Sequence, residues 1–102
     1  MDLIESLKLQ LSVEREGFFI PFDDVWQLMG YKERAIALEE LRIGLDKEID
    51  YLQFGNDGIL LSINGFKMFC MMADTPQGTI ARRYFIDQEK ELIRRWKQIS
   101  NN

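Results

Sequence analysis

The side chains that could do chemistry in this 102-residue chain are few and scattered. There is no histidine, which removes the commonest general base and the commonest metal ligand. The one cysteine, Cys70, has apolar neighbours and no His or second Cys to activate it, so a buried thiol is expected rather than a nucleophile. Asp23 and Asp24 are adjacent carboxylates, but an acid pair at a helix start is ordinarily a capping device. Glu39 and Glu40 read as a solvated helix face. Gly55 and Gly58 lack the Lys-Ser/Thr of a phosphate loop, and no Cys/His spacing suits zinc. No catalytic, cofactor-binding or metal-binding residue is expected. The chain reads as a non-enzyme.

What remains is charge. Residues 1–75 carry seven Lys/Arg against fourteen Asp/Glu, a net −7, and residues 76–102 carry six against three, a net +3; these sum to the chain's −4. An acidic body with a basic C-terminal segment is not the footprint of a strong non-specific nucleic-acid binder. It can form a dipolar surface that suits a protein partner. The same cations also fit a helix that simply solvates its outer face and complements its own dipole at the C-terminal end. The expected interaction surface is Lys67, Arg82, Arg83, Lys90, Arg94, Arg95 and Trp96.

Most of those residues lie on one helix. Thr75-Pro76 is a helix start, because a Thr hydroxyl can accept from a free backbone N–H and Pro fits the first helical position. From there Ile80, Tyr84, Phe85, Gln88, Leu92, Trp96 and Ile99 recur at helical spacing, with Ile93 beside them, and are expected inward. Upstream, Phe66, Met68, Phe69, Cys70, Met71 and Met72 are apolar nearly all round, as in a helix packed on several sides.

Earlier in the chain, Asp2 is expected to cap a short helix with Leu3, Ile4, Leu7 and Leu11 on one side, although Leu7, Leu9, Leu11 and Val13 also alternate as a strand would. Residues 14–17 read as a polar turn and 18–21 as a strand ending at Pro21. Asp23 or Asp24 then caps a helix with Val25, Trp26, Leu28 and Met29 inward, stopped by Gly30. Residues 31–43 read as a further helix burying Ile36, Ala37, Leu41 and Leu38, closed by Gly44. The turn Gly55-Asn56-Asp57-Gly58 joins strands at 51–54 and 59–62.

The length allows one domain with a real core. No apolar run reaches a membrane span and no signal peptide opens the chain, so a cytoplasmic location, in a bacterial host or a virus-infected cell, is expected. The fold class is α+β: a compact single domain of four to five helices with a small antiparallel sheet and a long C-terminal helix.

The sequence resembles the phage antirepressor AntA-type, BRO N-terminal and KilA-N domains of phages and large DNA viruses. The resemblance rests on Phe22, Val25-Trp26 and Leu28-Met29-Gly30-Tyr31; on Asp50-Tyr51; on Leu61-Ser62-Ile63 and Phe66-Lys67. It continues through Phe69-Cys70-Met71-Met72-Ala73, then Thr75, Gly78, Arg82, Tyr84-Phe85-Ile86 and Glu89-Lys90. It spans residues 18–92 and treats 1–102 as one such domain. It implies a role in viral or prophage gene control, by binding a repressor-like regulatory protein or DNA. Glu33, Glu39 and Glu40 depart from a DNA-reading helix, since their carboxylates would repel phosphates. The first expectation is therefore an antirepressor-like module that binds a regulatory protein. A DNA-binding domain using Lys67, Arg82, Arg83, Arg94 and Arg95 is the alternative, and a phage inhibitor of a host defence complex is a third. A homodimer through the C-terminal helix is a further expectation.

Overall fold

The computed structural model describes residues 2–12 and 16–100. Among them the chain runs α1 (Leu3–Ser12), β1 (Ile20–Pro21), α2 (Phe22–Leu28), α3 (Arg34–Gly44), β2 (Tyr51–Phe54), β3 (Gly58–Leu61), α4 (Ile63–Met72) and α5 (Pro76–Ser100). The strands form one antiparallel sheet in the order β1-β3-β2, with Leu61 opposite both Ile20 and Tyr51. This is the expected α+β single domain with a long last helix.

β3 is central because its alternation works: Ile59 and Leu61 point into the core while β1 and β2 satisfy its two edges. The hairpin turn is made where Gly55 takes a positive φ of 61°. Ser62 leaves the strand to cap α4, its hydroxyl accepting from Gly65 N–H at 3.0 Å and donating to Asp50 C=O at 3.2 Å. That is why β3 ends one residue before the expected 62. Phe66, Phe69 and Cys70 of α4 meet Leu7 of α1, Phe22 of α2, Leu41 of α3 and Leu61 of β3 in a single core. α1 is a helix, with Leu7 buried, Leu9 exposed and Asp2 Oδ1 accepting from Glu5 N–H at 2.8 Å.

Several expectations are corrected. Asp23 and Asp24 do not cap α2, which begins at Phe22 directly after the strand, with Pro21 in the cap position and no side-chain cap. The helix after Gly30 starts at Arg34 rather than at residue 31. Tyr31 lies outside it because its ring packs on Phe69 at 5.7 Å and its hydroxyl reaches forward to the Glu40 carboxylate. Ile36 is 50% exposed rather than inward, since Ala37 and Leu41 take the core side of α3. Met68 and Met71 are exposed, so α4 is covered on one broad side only. The polar turn expected at 14–17 lies partly outside the described residues. Gly30 does stop α2 as expected, at φ 81°.

Candidate interaction surface

α5 is fixed to the body at its beginning and leaves it further on. Thr75 Oγ1 accepts from Gly78 N–H at 3.0 Å and donates to Met29 C=O at 2.7 Å, so one hydroxyl caps α5 and ties it to the end of α2. Pro76 takes the first helical position, as its fixed φ favours. Arg82 adds a second clamp: its Nη1 donates to Met71 C=O at 2.7 Å and Ala73 C=O at 3.0 Å, and its Nη2 to Thr79 Oγ1 at 3.1 Å. These carbonyls end α4 and have no partner within the helix, where a cation also complements the dipole. Arg82 therefore holds the α4–α5 elbow with three of its five N–H donors.

Replacing it isolates that role. Arg82→Ala should lower unfolding stability by about 1–2 kcal/mol, the scale of charge-assisted hydrogen bonds discounted for partial exposure. A urea melt checks this, and a midpoint equal to the parent's would mean that the clamp contributes nothing.

Beyond the elbow the helix presents two sides. Ala81 is fully buried and Tyr84 and Phe85 are half-buried against the body, with α1 and α4 as neighbours. The stripe then continues uncovered: Leu92 is 67% exposed, Trp96 66% and Ile99 74%. The expected inward run thus holds at Tyr84 and Phe85 but fails at Ile80, Gln88, Leu92, Ile93, Trp96 and Ile99, which are exposed. The molecule's dimensions, 54 × 28 × 26 Å, fit a helix that outruns its domain. Arg83, Lys90, Arg94 and Lys97 are exposed, and steps of seven, four and three place them on one ridge opposite the apolar stripe. Glu91 pairs with Arg94 at 3.1 Å and Arg95 at 3.4 Å, both exposed contacts worth little to stability. Lys67 stands apart from the ridge, half-buried on the wall of an open groove of about 440 Å³ with Leu11, Met71, Phe85 and Leu92. The expected surface therefore divides into a clamp (Arg82), a groove residue (Lys67), a basic ridge and an apolar stripe containing Trp96.

Elsewhere the polar groups are structural. Arg34, which nothing in the sequence singles out, donates from Nε to Asp23 Oδ1 at 2.6 Å and from Nη2 to Asp57 C=O, and lies 5.8 Å from the Phe22 ring centroid. Its guanidinium, with the Trp26 indole N–H at 3.0 Å, holds the Asp23 carboxyl below its usual range. No local spacing joins positions 23, 34 and 57; only the fold brings them together. Burial, together with the Glu40 carboxylate, raises the Tyr31 phenol above its ordinary value. Glu40 is accordingly half-buried and occupied by Tyr31, not a solvated carboxylate, whereas Glu39 is exposed. Burial pushes the Cys70 thiol up to about 12, which leaves it protonated and unreactive at neutral pH. Among the described residues no group of acids or thiols is arranged to hold a metal ion, and no helix is long and apolar enough to cross a membrane. Comparison with protein families, with curated proteins and with solved structures gives no match for this chain.

Proposed function

We propose that the chain is a non-catalytic regulatory module, working in the cytoplasm, that binds a regulatory protein through the outer ridge of α5. The observation that carries this reading is the row Arg83, Lys90, Arg94 and Lys97, exposed on a helix that stands away from a body of net charge −7. Such a row fits an acidic protein surface, and the opposite charge of the body orients the encounter. The antirepressor-like resemblance over residues 18–92 supports the same class of partner, a repressor-like protein of a phage or virus. Duplex DNA fits less well. Asp87, Glu89 and Glu91 interrupt the cations along the helix, Arg82 is spent on the α4–α5 elbow, and the acidic body repels phosphate.

The test compares the parent with a variant carrying Arg83→Gln, Lys90→Gln and Arg94→Gln. These side chains are exposed, so the fold should persist. Affinity capture from a host lysate should yield a transcriptional regulator with the parent, and at least tenfold less of it with the variant. Duplex DNA titrated at two salt concentrations should bind weakly and without sequence preference. Tight, sequence-selective DNA binding at physiological salt would replace this reading with a DNA-binding one.

A further inference from the structure

Beyond Phe85, the side of α5 opposite the basic ridge is left largely bare by the described residues. Ala81, Phe85, Leu92, Trp96 and Ile99 follow at steps of four, seven, four and three, which keeps them on one side of an α-helix. The first is buried, the second half-buried and the last three bare, so a single stripe begins in the core and runs out past it. From Phe85 to Ile99 it is about 21 Å long at 1.5 Å per residue. The groove between Leu11, Met71, Phe85 and Leu92 opens directly alongside.

We propose that this stripe pairs with the same stripe of a second copy of the chain, the two α5 helices lying antiparallel and crossing near Leu92. Charge selects both the occupant and the direction. Of the charged residues on this half of α5, Glu89 and Arg95 flank the stripe, one on each side of Leu92, while Lys90, Arg94 and Lys97 lie on the far side. A parallel pair would set Arg95 against Arg95 and Glu89 against Glu89. The antiparallel pair brings Arg95, which flanks the stripe, level with Glu89 of the second copy. Ile99 then arrives level with Phe85 of the second copy, at the mouth of the groove, where the incoming helix end also approaches that copy's acidic body. A two-fold axis through the crossing makes the contact self-complementary and closed. It also leaves Arg83, Lys90, Arg94 and Lys97 outward on both helices, so the dimer presents two basic ridges. The pairing stands independently of what those ridges bind.

The test is the mass of the full chain in solution at tens of micromolar, with far-UV circular dichroism confirming that each variant is folded. Sedimentation of the parent should give twice the 12.1 kDa of the single chain. Leu92→Glu should weaken association at least tenfold, because it places a carboxylate at the crossing. Glu89→Arg and Arg95→Glu should each weaken it, and the two together should restore it, since in the antiparallel pair each residue faces the other across the interface. Under mild oxidation Leu92→Cys should cross-link to itself readily and Ile99→Cys should not; the buried Cys70 should not compete. A parent that sediments as a monomer, a dimer indifferent to Leu92→Glu, or Ile99→Cys cross-linking as readily as Leu92→Cys would each overturn the proposal.

Discussion

Phe69→Ala is expected to lower unfolding stability by about 3–5 kcal/mol, the cost of deleting a buried aromatic ring and leaving a cavity that relaxes only partly. Phe69 has no exposed surface, and its ring meets Phe22 edge-on at 5.3 Å and Tyr31 at 5.7 Å. It therefore joins α4 to α2 and to the segment before α3, and its loss removes packing from all three at once. Against the roughly 5–15 kcal/mol that holds an ordinary domain together, that is a large share. Phe85→Ala is the internal comparison. Its ring is only half-buried at the edge of the body, so its truncation should shift a urea midpoint clearly less. Equal shifts for the two variants would mean that the core is centred on the α4–α5 contact and not on Phe22 and Phe69.

That contrast also marks how far the sequence could be read. The hairpin was legible because its determinants are local: Gly55 adopts the left-handed conformation a tight turn needs, and the apolar strands flank it directly. The start of α5 was legible for the same reason, since Thr75 and Pro76 act within one turn of themselves. The segment between α2 and α3 was not. Tyr31 has the spacing of a helical residue, but Phe69 and Glu40, distant in sequence, hold it outside the helix. Asp23 was misread because its partner Arg34 lies eleven residues away and leaves no trace in periodicity. On α5 the spacing identified an apolar side correctly but not what covers it. Periodicity reports which residues share a side of a helix, while coverage depends on which other elements the fold packs against that side. The interaction surface shares that limit: its cations could be named from composition, yet only the elbow geometry separates Arg82, which clamps α4, from Arg83, which faces outward.

Gly78→Ala sets helix propensity directly against packing. Gly78 lies in the first turn of a long helix, where exchanging Gly for Ala would ordinarily stabilise by up to about 1 kcal/mol. Here the added Cβ would lie 1.8 Å from the Ala73 carbonyl oxygen and 2.7 Å from its carbon. Both atoms are backbone, so no side-chain rotation relieves the overlap. The start of α5 must instead move away from the end of α4. That movement strains the Arg82 clamp, whose Nη1 donates to the same Ala73 carbonyl, and the Thr75 hydroxyl that bridges Gly78 N–H to Met29 C=O. The expected result is a loss of about 4 kcal/mol or more, in the class of substitutions that break a constrained site, and a fold barely populated at 37 °C. Thermal unfolding followed by circular dichroism gives the sign without ambiguity. A midpoint at or above the parent's would show that the elbow can open by the width of a methyl group, and that α5 is held less closely to the body than its hydrogen bonds imply.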